Sequence, residues 1–255
     1  MLSPFLGALL GRPASLSRTC ALMIQDAPIP PRALNTQNIP RDGTFILAVN
    51  HYDRPGMGMW WSGALAVATI AKHRTDPREF RAVMVREWWY PRGFGRIVKQ
   101  PLTRWAFGQF AKAYKIALLP PAIDEYKGTG GIAVRRVLAL TRNDKPELVA
   151  MAPEGFAGKN GTLKYPPAGA GLFLLMLSHD TIPFLPVGIY EDDENRLTAN
   201  FGAPFMLCVP RTLSREERDR EAARQVMVRI GKLLPERLWG AYREEIVQVN
   251  LALEK

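Results

Sequence analysis

The stretch Phe45-Ile46-Leu47-Ala48-Val49-Asn50-His51-Tyr52-Asp53-Arg54-Pro55-Gly56 decides the fold. Five apolar residues run together between Gly43 and Asn50. A short unbroken apolar run of this kind reads as a strand buried on both faces, as in a parallel sheet covered by helices. Past Val49 the chain turns polar at once. Pro55 biases Arg54 away from helical backbone and suits the first turn of a helix. A helix is therefore expected over 57–72.

The same alternation continues outward from this stretch. Apolar runs predict strands at 80–85, 116–119, 148–151, 182–190 and 197–201, and longer segments predict helices at 96–115, 129–141 and 169–178. Ser214 followed by Glu217 is a capping-box pattern; it opens a charged helix that Pro235 stops after about residue 234. Strands alternating with helices imply an α/β fold: a single layered domain with a mainly parallel central sheet flanked by helices. The expected organisation is an N-terminal arm (1–40), the α/β domain (41–240) and a C-terminal tail (241–255). Pro28, Pro30, Pro31 and Pro40 cluster in the arm, which reads as membrane-associating or disordered, with a short amphipathic helix near 4–10.

Composition narrows the function classes. The chain has 255 residues, 47% hydrophobic and 23% charged, an ordinary globular balance for one domain. Cys20 and Cys208 form no C-x-x-C pair, so neither a disulfide framework nor a structural zinc site is expected, and no metal or bound cofactor is implied. The formal charge of +10 draws the protein towards anionic surfaces, nucleic acid and anionic lipid alike. No RNA-recognition or zinc signature favours nucleic acid. Gly128-x-Gly130-Gly131 does not match the dinucleotide fingerprint, and no Walker loop is present. The first ten residues lack a basic region, and Arg12 interrupts the apolar run, so no secretory signal is expected. The longest uncharged stretch, 55–71, is shorter than the ~20 residues that cross a bilayer. The expectation is a cytoplasmic, peripheral membrane protein.

Ligands of parallel sheets gather beyond the carboxyl ends of the strands, and two such loops carry chemistry. In the first, His51 directly follows a strand. Its ordinary pKa of about 6.5 makes histidine the natural general base near neutral pH, and such a base needs an acid to fix its tautomer. Asp53 is the nearest candidate, because residues i and i+2 of extended backbone point to the same side. The geometry permits the pairing, and an Asx-turn at Asp53 is the alternative. His73 and His179 have no comparable companions. The second loop reads Ala152-Pro153-Glu154-Gly155-Phe156-Ala157-Gly158-Lys159-Asn160-Gly161-Thr162-Leu163-Lys164. Glu154 is its ionisable group. Gly155, Gly158 and Gly161 let backbone approach a ligand. Lys159 and Lys164 supply positive charge.

Together the loops resemble the phospholipid/glycerol acyltransferase superfamily, which includes the lysophosphatidic acid acyltransferases. Asn50-His51 matches the start of that family's first motif, and Pro153-Glu154-Gly155 the centre of its second. Ile182-Pro183-Phe184-Leu185-Pro186-Val187 matches a third. The resemblance covers roughly residues 40–205 and implies acyl transfer from acyl-CoA or acyl carrier protein to a hydroxyl of a lysophospholipid, glycerol-phosphate or related lipid acceptor. His51 would be the general base, with Glu154, Gly155, Lys159 and Lys164 around the acceptor. The sequence departs from the family at Gly56, where the first motif has aspartate, and at Ala157, where the second has arginine. The stretch 116–121 also lacks the family's arginine. The alternative is a non-catalytic lipid-surface protein of the same fold. Trp60, Trp61, Trp88 and Trp89 are concentrated interfacial aromatics beside basic residues, as at membrane surfaces. Core packing and an acyl-chain groove are the other readings of these tryptophans.

Overall fold

Strand β2, Ile46–Val49, lies in the middle of the sheet, as its unbroken apolar run requires. The computed structural model describes residues 2–53, 58 and 60–253. On one side β2 pairs in parallel with β5 (Leu148–Met151), which pairs with β3 (Phe80–Val85) and through it β4 (Ala117–Leu119). On the other side it pairs in parallel with β6 (Phe184–Glu191). Next comes β7 (Leu197–Phe201), antiparallel to β6, and last β1 (Arg32–Leu34), parallel to β7. The order is β1-β7-β6-β2-β5-β3-β4. This is the mainly parallel α/β sheet expected from the sequence. Five parallel strands thus send their carboxyl ends to one edge, and the loops carrying His51 and Glu154 leave adjacent strands there.

Helices cover both faces of the strands. They are α1 (Leu2–Leu9), α2 (Leu16–Gln25), α3 (Trp60–His73), α4 (Gln100–Tyr114, entered through a π-helical turn at Gly95–Lys99), α5 (Gly131–Thr141), α6 (Ala170–Ser178), α7 (Arg215–Gly231) and α8 (Arg243–Leu253). The core is built from Phe45, Ile46, Phe80, Leu148, Phe184, Leu185 and Phe201 of the sheet, with Ile70, Leu174, Val226 and Ile230 from the helices. α6 and α7 approach closely because Gly171 has no Cβ; one would stand 1.8 Å from the Asp219 carbonyl. The Asp219 carboxylate accepts from Gly169 N (2.6 Å) and Leu172 N (2.9 Å), and so caps the start of α6. The capping box at Ser214 and Glu217 is formed as expected.

The ends of the chain differ from expectation. Residues 2–40 do not form a loose arm: α2 packs on α3 and α1 on α4, and β1 joins the sheet edge. The physical reason is visible in α2, where Cys20 is buried and Leu16, Met23 and Ile24 pack against the core. Nor is 241–253 a tail, since Tyr242 and Ile246 are buried in the core.

Candidate active site

Asn50, the first polar residue after β2, is buried and behaves as an extra backbone unit. Its Nδ2 donates to the Ile189 carbonyl (2.9 Å) and its Oδ1 accepts from Ile189 N (2.7 Å). Both polar ends of the amide are satisfied, so the β2–β6 ladder is locked one residue past its last pair. This fixes where His51 leaves the sheet.

Glu154 fixes it from the other side. Its carboxylate is 1% exposed. Oε2 accepts from the backbone N–H of His51 (2.8 Å) and Oε1 from that of Lys164 (2.9 Å). One buried side chain therefore ties the β2 loop to both limbs of the β5 loop. Burial pushes its pKa up to about 7, against the opposing pull of the two N–H groups and the Lys164 charge. Burial also pushes the His51 pKa down to about 4. Near neutral pH the imidazole is uncharged, the state a general base needs.

Asp53 and His51 are not joined. His51 Nδ1 is buried without a hydrogen-bond partner, and no hydrogen bond or ion pair between the two residues occurs among the described residues. The expected orienting bond is thus not made here. The loop is held instead through the Asn50 side chain on Ile189 and the His51 backbone N–H on Glu154. Gly56, the position of the family's aspartate, lies outside the described residues.

The glycines of the second loop divide. Gly158 and Gly161 face protein: a Cβ at Gly158 would lie 1.9 Å from the Thr162 carbonyl, and one at Gly161 would lie 2.6 Å from the Tyr52 ring. The expectation that they let backbone approach a ligand is replaced by close packing within the loop. Gly155 has open space around it and a φ of +76°. The Lys164 ammonium sits 3.9 Å from the Phe156 ring centroid, and Lys159 is exposed. Tyr52 is buried, and its hydroxyl donates to Glu191 Oε2 (3.3 Å) at the end of β6.

Of the four tryptophans, Trp61 packs against the core, whereas Trp60, Trp88 and Trp89 are exposed. Trp60 and Trp88 both meet Phe107 of α4 edge to face, at 6.0 and 5.5 Å. Trp89 Nε1 donates to Glu125 (2.7 Å). The roles of Asn50 and of the Tyr52–Glu191 pair went unread in the sequence, although a lone asparagine ending an apolar strand was the available signal for the first.

The chain is similar to a solved acyltransferase. This is the 1-acyl-sn-glycerophosphate (LPA) acyltransferase PlsC from Thermotoga maritima, at 15% identity over 86% of this chain and 75% of that one, with a TM-score of 0.47. No protein-family model matches the chain, and no curated protein matches it. Among the described residues no helix is long and apolar enough to cross a membrane.

Proposed function

We propose that this protein is an acyltransferase that moves a fatty acyl group from an acyl thioester to a lipid hydroxyl, with His51 as general base. The observation that carries the reading is the Glu154 carboxylate holding the His51 backbone (2.8 Å) at the carboxyl edge of the sheet. It joins the two motifs through which the sequence resembles glycerolipid acyltransferases. The resemblance supplies the substrate class, with acyl-CoA or acyl carrier protein as donor and a lysophospholipid or glycerol-phosphate as acceptor.

In the reaction, the acceptor oxygen attacks the thioester carbonyl as His51 takes its proton. The C–O bond forms, the C–S bond breaks, and the proton passes on to the departing thiolate. Glu154 acts on His51 through the backbone and is a positioning residue. Gly155 leaves room for the acceptor, and Lys159 and Lys164 offer it positive charge. Asp53, the nearest acid in sequence, would supply the acid for Nδ1 once substrate is bound. The assay is acyl transfer by purified protein with both donors across a panel of hydroxyl acceptors. His51→Ala is expected to lower the rate by roughly 10²–10⁴ with folding unchanged. Full turnover by that variant would sink the mechanism. An unaltered rate in Asp53→Asn would exclude the orienting role.

The unpartnered Nδ1 favours a second reading, a non-catalytic lipid-surface protein of the same fold. Vesicle binding with no transfer to any acceptor would select it.

A further inference from the structure

The segment from Phe94 through α4 is amphipathic in the wrong sense for a soluble helix. Phe94, Ile97, Val98, Pro101, Leu102 and Trp105 follow the spacing of one helix face, the face a globular helix normally buries. Here the opposite face is inside, with Gln100, Phe107 and Tyr114 buried. Ile97 is 75% exposed, Phe94 68%, Leu102 58% and Trp105 51%. With Val98 these side chains expose on the order of 500 Å² of apolar surface, as much as the largest patch on a typical monomer, which is often functional. The orientation is fixed from below. Glu87, fully buried after β3, accepts from Arg104 Nε (2.5 Å) and from the Tyr126 hydroxyl (2.8 Å). That clamp holds α4 with its apolar face outward.

Charge decides what covers this face. Residues 86–115 contain seven basic side chains and one acid, and the acid is the buried Glu87. This stretch therefore has a net charge of plus six, with Arg96 paired to exposed Glu125 from outside it. Arg92 and Lys99 are exposed among the apolar residues. α1 lies along the far end of α4, with Gly11 beside Gln109 and Lys112, and adds exposed Leu6 and Leu10. Apolar side chains interleaved with cations fit an anionic bilayer, where the first enter the acyl boundary and the second meet phosphates. A second copy of the chain would bring like charge against like charge.

We infer that the 94–105 face, extended by α1, is the surface on which the protein docks to anionic phospholipid. The inference rests on the proposed function only in naming a lipid acceptor. The test is co-sedimentation with vesicles of two parts phosphatidylcholine to one part phosphatidylglycerol, against pure phosphatidylcholine. The full chain is expected to bind the mixed vesicles, and to bind them less as salt rises. Ile97→Glu/Leu102→Glu, at exposed positions that tolerate charge, should weaken that binding roughly ten-fold or more with an unchanged circular dichroism spectrum. Leu251→Glu, exposed on α8, should bind as the native chain does. His51→Ala should also bind normally, so a failure of the chemistry is read apart from a failure of docking. Native-like binding by Ile97→Glu/Leu102→Glu would overturn the inference. So would a dimer in solution that this variant dissociates, because the face would then be a self-interface.

Discussion

His51 and Glu154 carry opposite pH signatures, and removing either one should unmask the other. In the unfolded chain His51 takes a proton near its ordinary 6.5, whereas in the fold it waits until about 4. Between those values the unfolded state binds more protons, so this group's contribution to stability is complete above 6.5 and is lost as pH falls. Glu154 behaves in reverse. Unfolded, it gives up its proton near 4.5; folded, it keeps the proton up to about 7. Its contribution is present below 4.5 and is lost as pH rises through 7. At about 1.4 kcal/mol per tenfold change in proton affinity, each displacement is worth ~3 kcal/mol, with His51 at the lower side because it retains some solvent. Over the shared window from about 4.5 to 6.5 the two slopes cancel in the native protein.

The perturbations are His51→Gln and Glu154→Gln, each followed by urea unfolding from pH 4 to 8. The readout is the stability difference from the native chain at each pH, which removes the common contribution of every other titrating group. Relative to native, His51→Gln should lose ~3 kcal/mol as pH rises from about 4 to 6.5, because only the falling Glu154 slope remains. Glu154→Gln should gain a similar amount, relative to native, as pH rises from about 4.5 to 7. It should also be less stable at low pH, since its amide turns an N–H donor towards a backbone N–H of His51 or Lys164. Flat differences for both variants would refute the burial of the two groups and with it the neutral base.

Asn50→Ala removes both bonds to Ile189 and should cost ~2–4 kcal/mol in urea unfolding; Asn50→Asp should be worse at pH 8 than at pH 4, as a carboxylate oxygen then faces the Ile189 carbonyl. Gly161→Ala combines a φ of +73° with a Cβ 2.6 Å from Tyr52. It should lower stability by ~2 kcal/mol and reduce transfer by displacing the residue next to His51. Ser214→Ala breaks the α7 capping box, far from the loops, and should cost ~1 kcal/mol by thermal or urea unfolding with transfer unchanged.

What the sequence made legible follows its local physics. Strands β3 and β5 begin and end where their largely apolar runs do. Such runs are long enough to bury and are cut by polar residues, glycine or proline. The strand β1 was not legible, because three residues at a sheet edge carry no period. In α2 the helical pattern of Leu16, Cys20, Met23 and Ile24 was masked by the prolines that follow it. His51 and Glu154 could be singled out as strand-end ionisable groups. Their connection could not, because it spans 103 residues and uses a backbone N–H, which has no signature in side-chain type.

That connection also limits where the acid for His51 can come from. Glu154 is the carboxylate the fold brings to His51, yet each of its oxygens already accepts a backbone N–H. Turning it to Nδ1 would free two buried donors, at ~1–3 kcal/mol each, and would release the very backbone that aims the histidine. On the proposed mechanism, the imidazolium formed as the acceptor loses its proton would need a different carboxylate. An anion at Nδ1 raises a histidine's pKa by about 1–3, which would bring His51 from about 4 back towards the range where a base works well at neutral pH. Depressed affinity in the free protein and restored affinity with acid and substrate in place would then be two stages of one device. On that mechanism burial keeps the base neutral in the free protein, and the reading stands or falls on an acid engaging Nδ1 when substrate is bound.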